Sequence, residues 1–188
     1  MKSSLIPFQS SLTTLKFETD SKISGQNLEI TYKLSGALEN INLLHNFPSK
    51  KNRKNELWKD TCFEWFIGSK TNSQYWEFNA SPSGEWNFYQ LDDYRKNLTE
   101  CEHIGADDIN FSSQSLNEDK CNYSFKMNIA LNSLLRAQPN LIADGALALT
   151  AVIRTNLGAT DYYSLKHPSE KPDFHNRTGF IIPLKELE

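Results

Sequence analysis

No stretch of the 188-residue sequence approaches the ~18 consecutive apolar residues that a membrane-spanning helix needs. The opening stretch, MKSSLIPFQSSLTTLKF, also lacks the continuous apolar core of a secretory signal peptide. Cysteine is scarce. Cys62, Cys101 and Cys121 are an odd number, widely spaced, with no CxxC pair and no Cys/His zinc pattern. They suit a reducing compartment, with Cys62 as a buried strand residue, so the expected location is the cytoplasm. Excess positive charge is missing as well: the net charge is −3 and the pI about 5.8. That balance argues against nucleic acid or an anionic membrane as a partner. The local run Lys50-Lys51-Asn52-Arg53-Lys54 then reads as a solvated loop. No nucleophile elbow, phosphate-binding glycine loop or dinucleotide fingerprint is present. Internal repeats, low-complexity tracts and linkers are absent too, and the length suits one domain over residues 1–188.

What the sequence has in quantity is aromatic side chains, concentrated in residues 57–95. All four tryptophans lie there: Trp58, Trp65, Trp76 and Trp86. This stretch reads as three short strands, 62–67, 75–79 and 86–91, separated by Gly68 and by Ser81-Pro82-Ser83-Gly84. Period-two geometry sorts each strand into two faces. Phe63, Trp65 and Ile67 oppose Cys62, Glu64 and Phe66. Trp76 and Phe78 oppose Tyr75, Glu77 and Asn79. Trp86, Phe88 and Gln90 oppose Asn87, Tyr89 and Leu91. One face is strongly apolar, and the other mixes polar with aromatic groups. A face of the second kind is expected to be half covered, by another layer or by a ligand.

The rest of the chain continues the strand pattern. A first strand is expected over 12–19, anchored by Leu12, Leu15 and Phe17, and a second over 27–34, where Leu28, Ile30, Tyr32 and Leu34 alternate with polar residues. A short continuation at 41–44 leads into a polar loop, 47–55. Further strands are expected at 109–112, at 123–129, at 146–155, at 162–165 and at 179–184. Residues 130–137, ALNSLLRA, form the one helical stretch, ended by Pro139. Nine or ten short strands with a single short helix predict an all-β, antiparallel β-sandwich, jelly-roll or immunoglobulin-like.

Three groups of residues could carry chemistry. Glu64 and Glu77 sit on consecutive strands, so a hairpin would bring them close, with Asn79 beside them. Paired carboxylates serve as acid and base, bind a cation or accept hydrogen bonds from sugar hydroxyls. Equally, each could be neutralised by Arg95, Arg154 or Lys171 as structural glue. The second group is the segment YSLKHPSEKPDFH, where His167, Lys171, Asp173 and His175 surround two prolines that stiffen the path. Its histidines suit structural hydrogen bonding, ligand contact or, with Asp173, a metal, although the spacing matches no defensible ligand pattern. We expect this segment to fold back on the sheet that bears Glu64, Glu77 and Asn79. The third group is aromatic: whichever of Trp58, Trp76, Trp86, Tyr89 and Tyr94 are exposed could stack on a sugar ring.

The phrases LWKDTCFEWFI, YWEFNASPSGEWNFYQLDDYR and YYSLKHPSEKPDFH, the last followed by Gly179-Phe180, resemble the bacterial DOMON-like family. That family is related to the family 9 carbohydrate-binding modules. The phrase ITYKLSGALENINL is similar to its N-terminal strand, so the resemblance spans nearly the whole chain. It implies a β-sandwich with a ligand-binding face, and sugar or haem as the ligand. Haem-binding relatives use a Met and a His as axial ligands, whereas Met127 here alternates with Phe125 and Ile129 as a core residue would. Sugar-binding relatives use aromatic and polar strand residues, a part that Trp76, Trp86, Glu77 and Asn79 could fill. Arg154 and Tyr163 depart from the family pattern of an acid and a tryptophan. The resulting expectation is a non-catalytic domain, without cofactor or metal, that binds a small molecule, a carbohydrate first of all. Its candidate site comprises Glu64, Trp76, Glu77, Asn79, Trp86, Tyr89, Arg95, Arg154, His167, Lys171, Asp173 and His175. The alternatives are a haem-binding domain, or a hydrolase or isomerase that uses the carboxylates or the histidines.

Overall fold

Period-two alternation becomes sheet structure along most of the chain. The computed structural model describes residues 1–9, 15–41, 43, 52–115 and 122–188. Among these are twelve strands: β1 (Lys2–Pro7), β2 (Lys16–Ser24), β3 (Asn27–Ser35), β4 (Cys62–Ser69), β5 (Tyr75–Ala80), β6 (Trp86–Leu91), β7 (Thr99–Glu100), β8 (Ile109–Ser115), β9 (Asn122–Ala130), β10 (Gly145–Arg154), β11 (Thr160–Ser164) and β12 (Ile182–Pro183). They pair antiparallel along one path, β7-β6-β5-β4-β10-β11-β1-β2-β3-β9-β8, with β12 added to β10. The path curls over on itself into a two-layered, all-β sandwich. The corner is β1. Lys2 to Leu5 pair with β2, and Ile6 and Pro7 pair with β11.

The two layers face each other through the apolar sets that alternation groups together. From β2, β3 and β9 come Phe17, Leu28, Ile30, Tyr32, Leu34, Tyr123, Phe125, Met127 and Ile129. From the opposite layer come Phe63, Trp65, Trp76, Phe78, Trp86, Phe88, Leu147, Leu149 and Tyr163. Phe63 is central, with ring centroids 4.8 Å from Phe125 and 5.1 Å from Tyr32. The Tyr32 hydroxyl crosses the core to donate to the Glu64 carbonyl at 2.5 Å, which satisfies a phenol that would otherwise be buried unpaired.

The layers differ in their outer faces. In β2, β3 and β9 burial alternates, so one face is wet. Every residue of β4 and β5 is buried, as are nine of the ten in β10. Their outer face carries a second apolar cluster of Phe66, Tyr75, Tyr89, Leu91, Ala146, Ala148 and Phe180, with Trp58 and Phe174 packed on it.

Several details differ from the sequence expectation. The strand β1 was not anticipated, because KSSLIP shows no clean alternation. The strand expected over 12–19 runs instead as β2 from Lys16, and Leu12 lies outside the described residues. Ile41 makes one isolated bridge, to Thr155, and Leu44 also lies outside the described residues. Ala130 ends β9, so the helix is α1 (Asn132–Ala137), and a second, α2 (Leu141–Asp144), follows Pro139. A four-residue helix is too short to display periodicity. The strand expected at 179–184 is only β12, between 3-10 turns at Arg177–Gly179 and Leu184–Glu186. Lys50, Lys51 and Cys121 are outside the described residues, but Arg53 is no solvated loop residue. It bonds the Asn87 side chain and the carbonyls of Cys101 and Ile104, and its guanidinium lies 4.4 Å from the centre of the Trp86 ring.

Truncating the central ring should therefore be severe. Phe63→Ala should cost about 3–5 kcal/mol of unfolding free energy in urea titration. Ile181→Ala, at an exposed position, should change it by less than about 0.5 kcal/mol.

Candidate functional site

The register of the fully buried strands places the acidic residues. Glu64 on β4 lies opposite Asn79 on β5 and Thr150 on β10, and Glu77 lies opposite Phe66 and Tyr89. Glu64 and Glu77 are thus diagonal neighbours on the outer face, within reach of each other's charge. They form the floor of a cleft of about 330 Å³. Phe66, Leu91 and Val152 complete the floor. Trp58, Arg95, Leu98, Tyr162, Pro172, Phe174 and His175 make the walls.

Both carboxyl groups are poorly served by protein. Glu64 is 2% exposed; its Oε2 accepts a hydrogen bond from Thr150 Oγ1 at 3.3 Å, and its Oε1 has no hydrogen-bond partner among the described residues. Burial, helped by the negative charge of Glu77, pushes its pKa well above the carboxylate range. Glu77 is 3% exposed. Its Oε1 accepts from Asn79 Nδ2 at 2.8 Å, and Oε2 has no hydrogen bond but lies 3.9 Å from His175 Nε2. Burial raises its pKa to about 7, against the opposing pull of the Asn79 hydrogen bond and of Arg95. Neither carboxyl forms an ion pair with Arg95, Arg154 or Lys171 among the described residues, so the expected neutralisation is not how these acids are accommodated. Burial instead shifts both toward the protonated form.

The histidine is oriented through Tyr75. The Arg95 backbone N–H donates to the Tyr75 hydroxyl at 3.2 Å, and that hydroxyl lies 2.8 Å from His175 Nδ1. The buried phenol proton has no other acceptor than Nδ1 among the described residues, which puts the imidazole proton on Nε2, on the side of Glu77. Burial, reinforced by the positive charge of Arg95, lowers the His175 pKa to about 4, so the ring is neutral near pH 7.

The segment 165–180 folds back over this sheet and closes one wall. Asp173 accepts from Arg95 Nη2 at 3.0 Å and from the Tyr94 hydroxyl at 2.9 Å, tying the segment to the turn at 92–97. The Arg177 guanidinium bonds the carbonyls of Ser69 and Asn72. It crosses directly over Gly68, where a Cβ would lie 3.0 Å from Nη2 and 2.9 Å from the Tyr75 Cβ. His167 Nε2 donates to the Ile6 carbonyl at 2.9 Å, which makes it an anchor of the segment rather than a cleft residue.

Of the residues singled out from sequence, Glu64, Glu77, Arg95 and His175 line the cleft together. Asn79 and Asp173 support them. Tyr89 packs edge-on against Trp58, with ring centroids 5.9 Å apart, and donates to Asn55. Trp76 and Trp86 are corrections. Each is 1% exposed and belongs to the core between the layers, on the opposite side of the sheet from Glu77. Strand alternation demands this, since neighbours in a strand cannot line the same face. Arg154 shares the outer face but is exposed at the end of β10, with its guanidinium on Thr160 Oγ1. Lys171 is exposed and does not line the cleft. Sequence reasoning passed over Phe66, Tyr75 and Leu91, which alternation places on the face of Glu64 and Glu77. It also passed over Thr150 and Val152, which arrive only through the distant pairing of β10 with β4. Met127 lies in the core between the layers, across the sheet from His175, so the two cannot converge on one iron. Among the described residues no three His, Cys, Asp or Glu side chains gather as a metal site, and no helix is long and apolar enough to cross a membrane.

No protein-family model matches the chain, and no curated protein matches it in sequence. The fold is similar to the crystal structure of a "putative carbohydrate-binding protein" from Bacteroides uniformis. That likeness has a TM-score of 0.67 and 12% identity, and covers 96% of this chain and 84% of the other. It establishes the fold.

Opposing proton linkages should make the stability of the site depend on pH. Glu77, raised from 4.5 to about 7, contributes stability that is complete below pH ~4.5 and lost as pH rises through 7. Glu64 acts in the same direction. His175, lowered from 6.5 to about 4, contributes stability present above pH ~6.5 and lost as pH falls through 4. His175→Gln should therefore lose stability more steeply than the parent as pH rises from 4.5 to 7.5. The double variant Glu64→Gln/Glu77→Gln should instead gain stability between pH 4 and 6.5. Urea midpoints across this range should resolve slopes on the order of 1–3 kcal/mol.

Proposed function

We propose that the cleft is a non-catalytic binding site for a carbohydrate of about monosaccharide size. One observation carries this reading. Two buried carboxyl groups, each with one oxygen that has no hydrogen-bond partner among the described residues, form the floor of a cleft with aromatic walls. Hydroxyl groups of a sugar would donate to the carboxyl groups of Glu64 and Glu77, and the Nε2–H of His175 would donate to a ligand oxygen. Trp58, Phe174 and Tyr162 offer apolar faces to the C–H faces of a pyranose. The volume lies at the lower end of the ~300–1,000 Å³ typical of small-molecule sites.

Two further points support the reading. The phrases that resemble the DOMON-like and family 9 carbohydrate-binding sandwiches supply every lining residue except Leu98 and Val152. The structure with a similar fold is that of a "putative carbohydrate-binding protein", and the likeness to it speaks only for the fold.

A second reading, acid–base catalysis on the same ligand class, draws on the position of the His175 Nε2–H, 3.9 Å from Glu77 Oε2. Product analysis by NMR separates the two. Turnover of a glycoside or sugar that disappears in Glu77→Gln favours catalysis, and binding of unchanged sugar favours a binding domain.

Calorimetric titration with common monosaccharides should give saturable binding with the parent protein. Trp58→Ala should weaken it by at least about tenfold, a loss of ~1.4 kcal/mol, whereas Phe111→Leu, on the far layer, should leave it unchanged. Absence of binding to any sugar at millimolar concentration would overturn the proposal.

A further inference from the structure

We infer that the cleft selects a ligand that carries a protonated amine, and, resting on the carbohydrate reading above, that this ligand is a sugar with a free amino group. The argument begins with supply and demand for protons and charge on the cleft floor. Glu64 and Glu77 each have one buried oxygen without a hydrogen-bond partner among the described residues. A hydroxyl can donate a single hydrogen bond, whereas an ammonium donates three and brings a positive charge. Seated on a floor made by two diagonal carboxyl groups, it can bond one while its charge reaches the other.

Among the described residues the one Arg or Lys that lines the cleft is Arg95, and it is paired with an acid. Arg95 sits at the wall with its guanidinium committed to Asp173 at 3.0 Å. His175 is held neutral by burial. Arg154 and Lys171 lie outside the cleft. A ligand with a carboxylate or phosphate would meet the two acids beside an Arg95 whose charge is already shared with Asp173. The walls point the same way, because Trp58, Tyr162 and Phe174 line the space that the carboxyls floor. Aromatic rings around a carboxylate are a favourable setting for an ammonium group.

Docking is a proton exchange as well as an association. Below pH 7 the ammonium displaces a proton from the carboxyl it meets, leaving a carboxylate–ammonium pair and one proton released to solvent. The other groups that face this pair hold their state through the exchange. Cys62 on β4, Tyr75 on β5 and Tyr89 on β6 are kept protonated by burial. Asp173 is kept ionised by Tyr94 and Arg95. Tyr162 on β11 faces the cleft from the side, and Glu100 on β7 reaches only the Asn87 amide behind Tyr89. Affinity should therefore climb as pH rises from 5 toward 7.5.

The test is calorimetry on the full chain with glucosamine, glucose, N-acetylglucosamine and tyramine, at pH 6 and 7.5, in two buffers of different ionisation enthalpy. Glucosamine should bind at least tenfold more tightly than glucose or N-acetylglucosamine and should release protons at pH 6. Both effects should vanish in Glu64→Gln/Glu77→Gln, or in Glu77→Gln alone should the double variant not fold. Glucose or N-acetylglucosamine binding as tightly as glucosamine would overturn the inference and leave the carbohydrate reading standing. Tyramine binding with proton release, while no sugar binds, would support amine recognition and overturn the carbohydrate reading. Silence from all four would overturn both.

Discussion

Burial of both faces of β4, β5 and β10 is the constraint on which the rest depends. A sheet with one wet face can carry any polar residue on that face. A sheet covered twice must find a partner for each polar group or keep it neutral. Most of the outer face follows the first course. Asn87, for example, bonds Arg53, Asn55, Tyr89 and Glu100, so an amide at 0% exposure is fully used. Glu64 and Glu77 follow the second, holding protons where partners run out. The cleft lies where that partnering is incomplete.

The cover is built from segments that hold one another. Tyr75 is their hinge point, because its hydroxyl receives the Arg95 N–H and engages His175. Arg95 and Asn97 both adopt left-handed backbone at φ 53°, a conformation that costs a non-glycine residue roughly 1 kcal/mol. Contacts from Asp173 to Tyr94 and Arg95 offset that cost, so the turn and the segment 165–180 stabilise each other. The cleft wall is therefore a joint product of two loops far apart in sequence.

Alternation made much of this legible. It located β3, β4, β5, β6, β9 and β10 nearly to the residue, because each pairs large apolar side chains with a period of two. It missed β1 and β7, whose polar residues form strands only because a neighbour is there to pair with them. The same alternation held the correction to the site. Trp76 and Trp86 were weighed for their chemistry as stacking groups, but their position opposite Glu77 and Asn87 commits them to the core. Val152, Thr150 and Tyr162 carry no local signal, since β10 and β11 reach the acidic strands through long-range pairing. The protonation of Glu64 was beyond reach for a similar reason. It follows from what the segment 165–180 and the turn at 92–97 cover, and no single stretch of sequence encodes that.

The divided pairing of β1 has a kinetic side. Its first half belongs to the layer of β2 and its second half to the layer of β11, with Ile6 opposite Ser164. Neither layer can be finished alone, and the sandwich cannot close until residues near one end of the sequence have met residues near the other. Loop closure of that length has its entropy set against it before any contact repays it, the hallmark of slow folding at high contact order. Until that seam forms, β2 and β11 each display an unpaired edge, the kind of surface that joins one chain to another. A strand without clean alternation is thus the seam on which both layers depend.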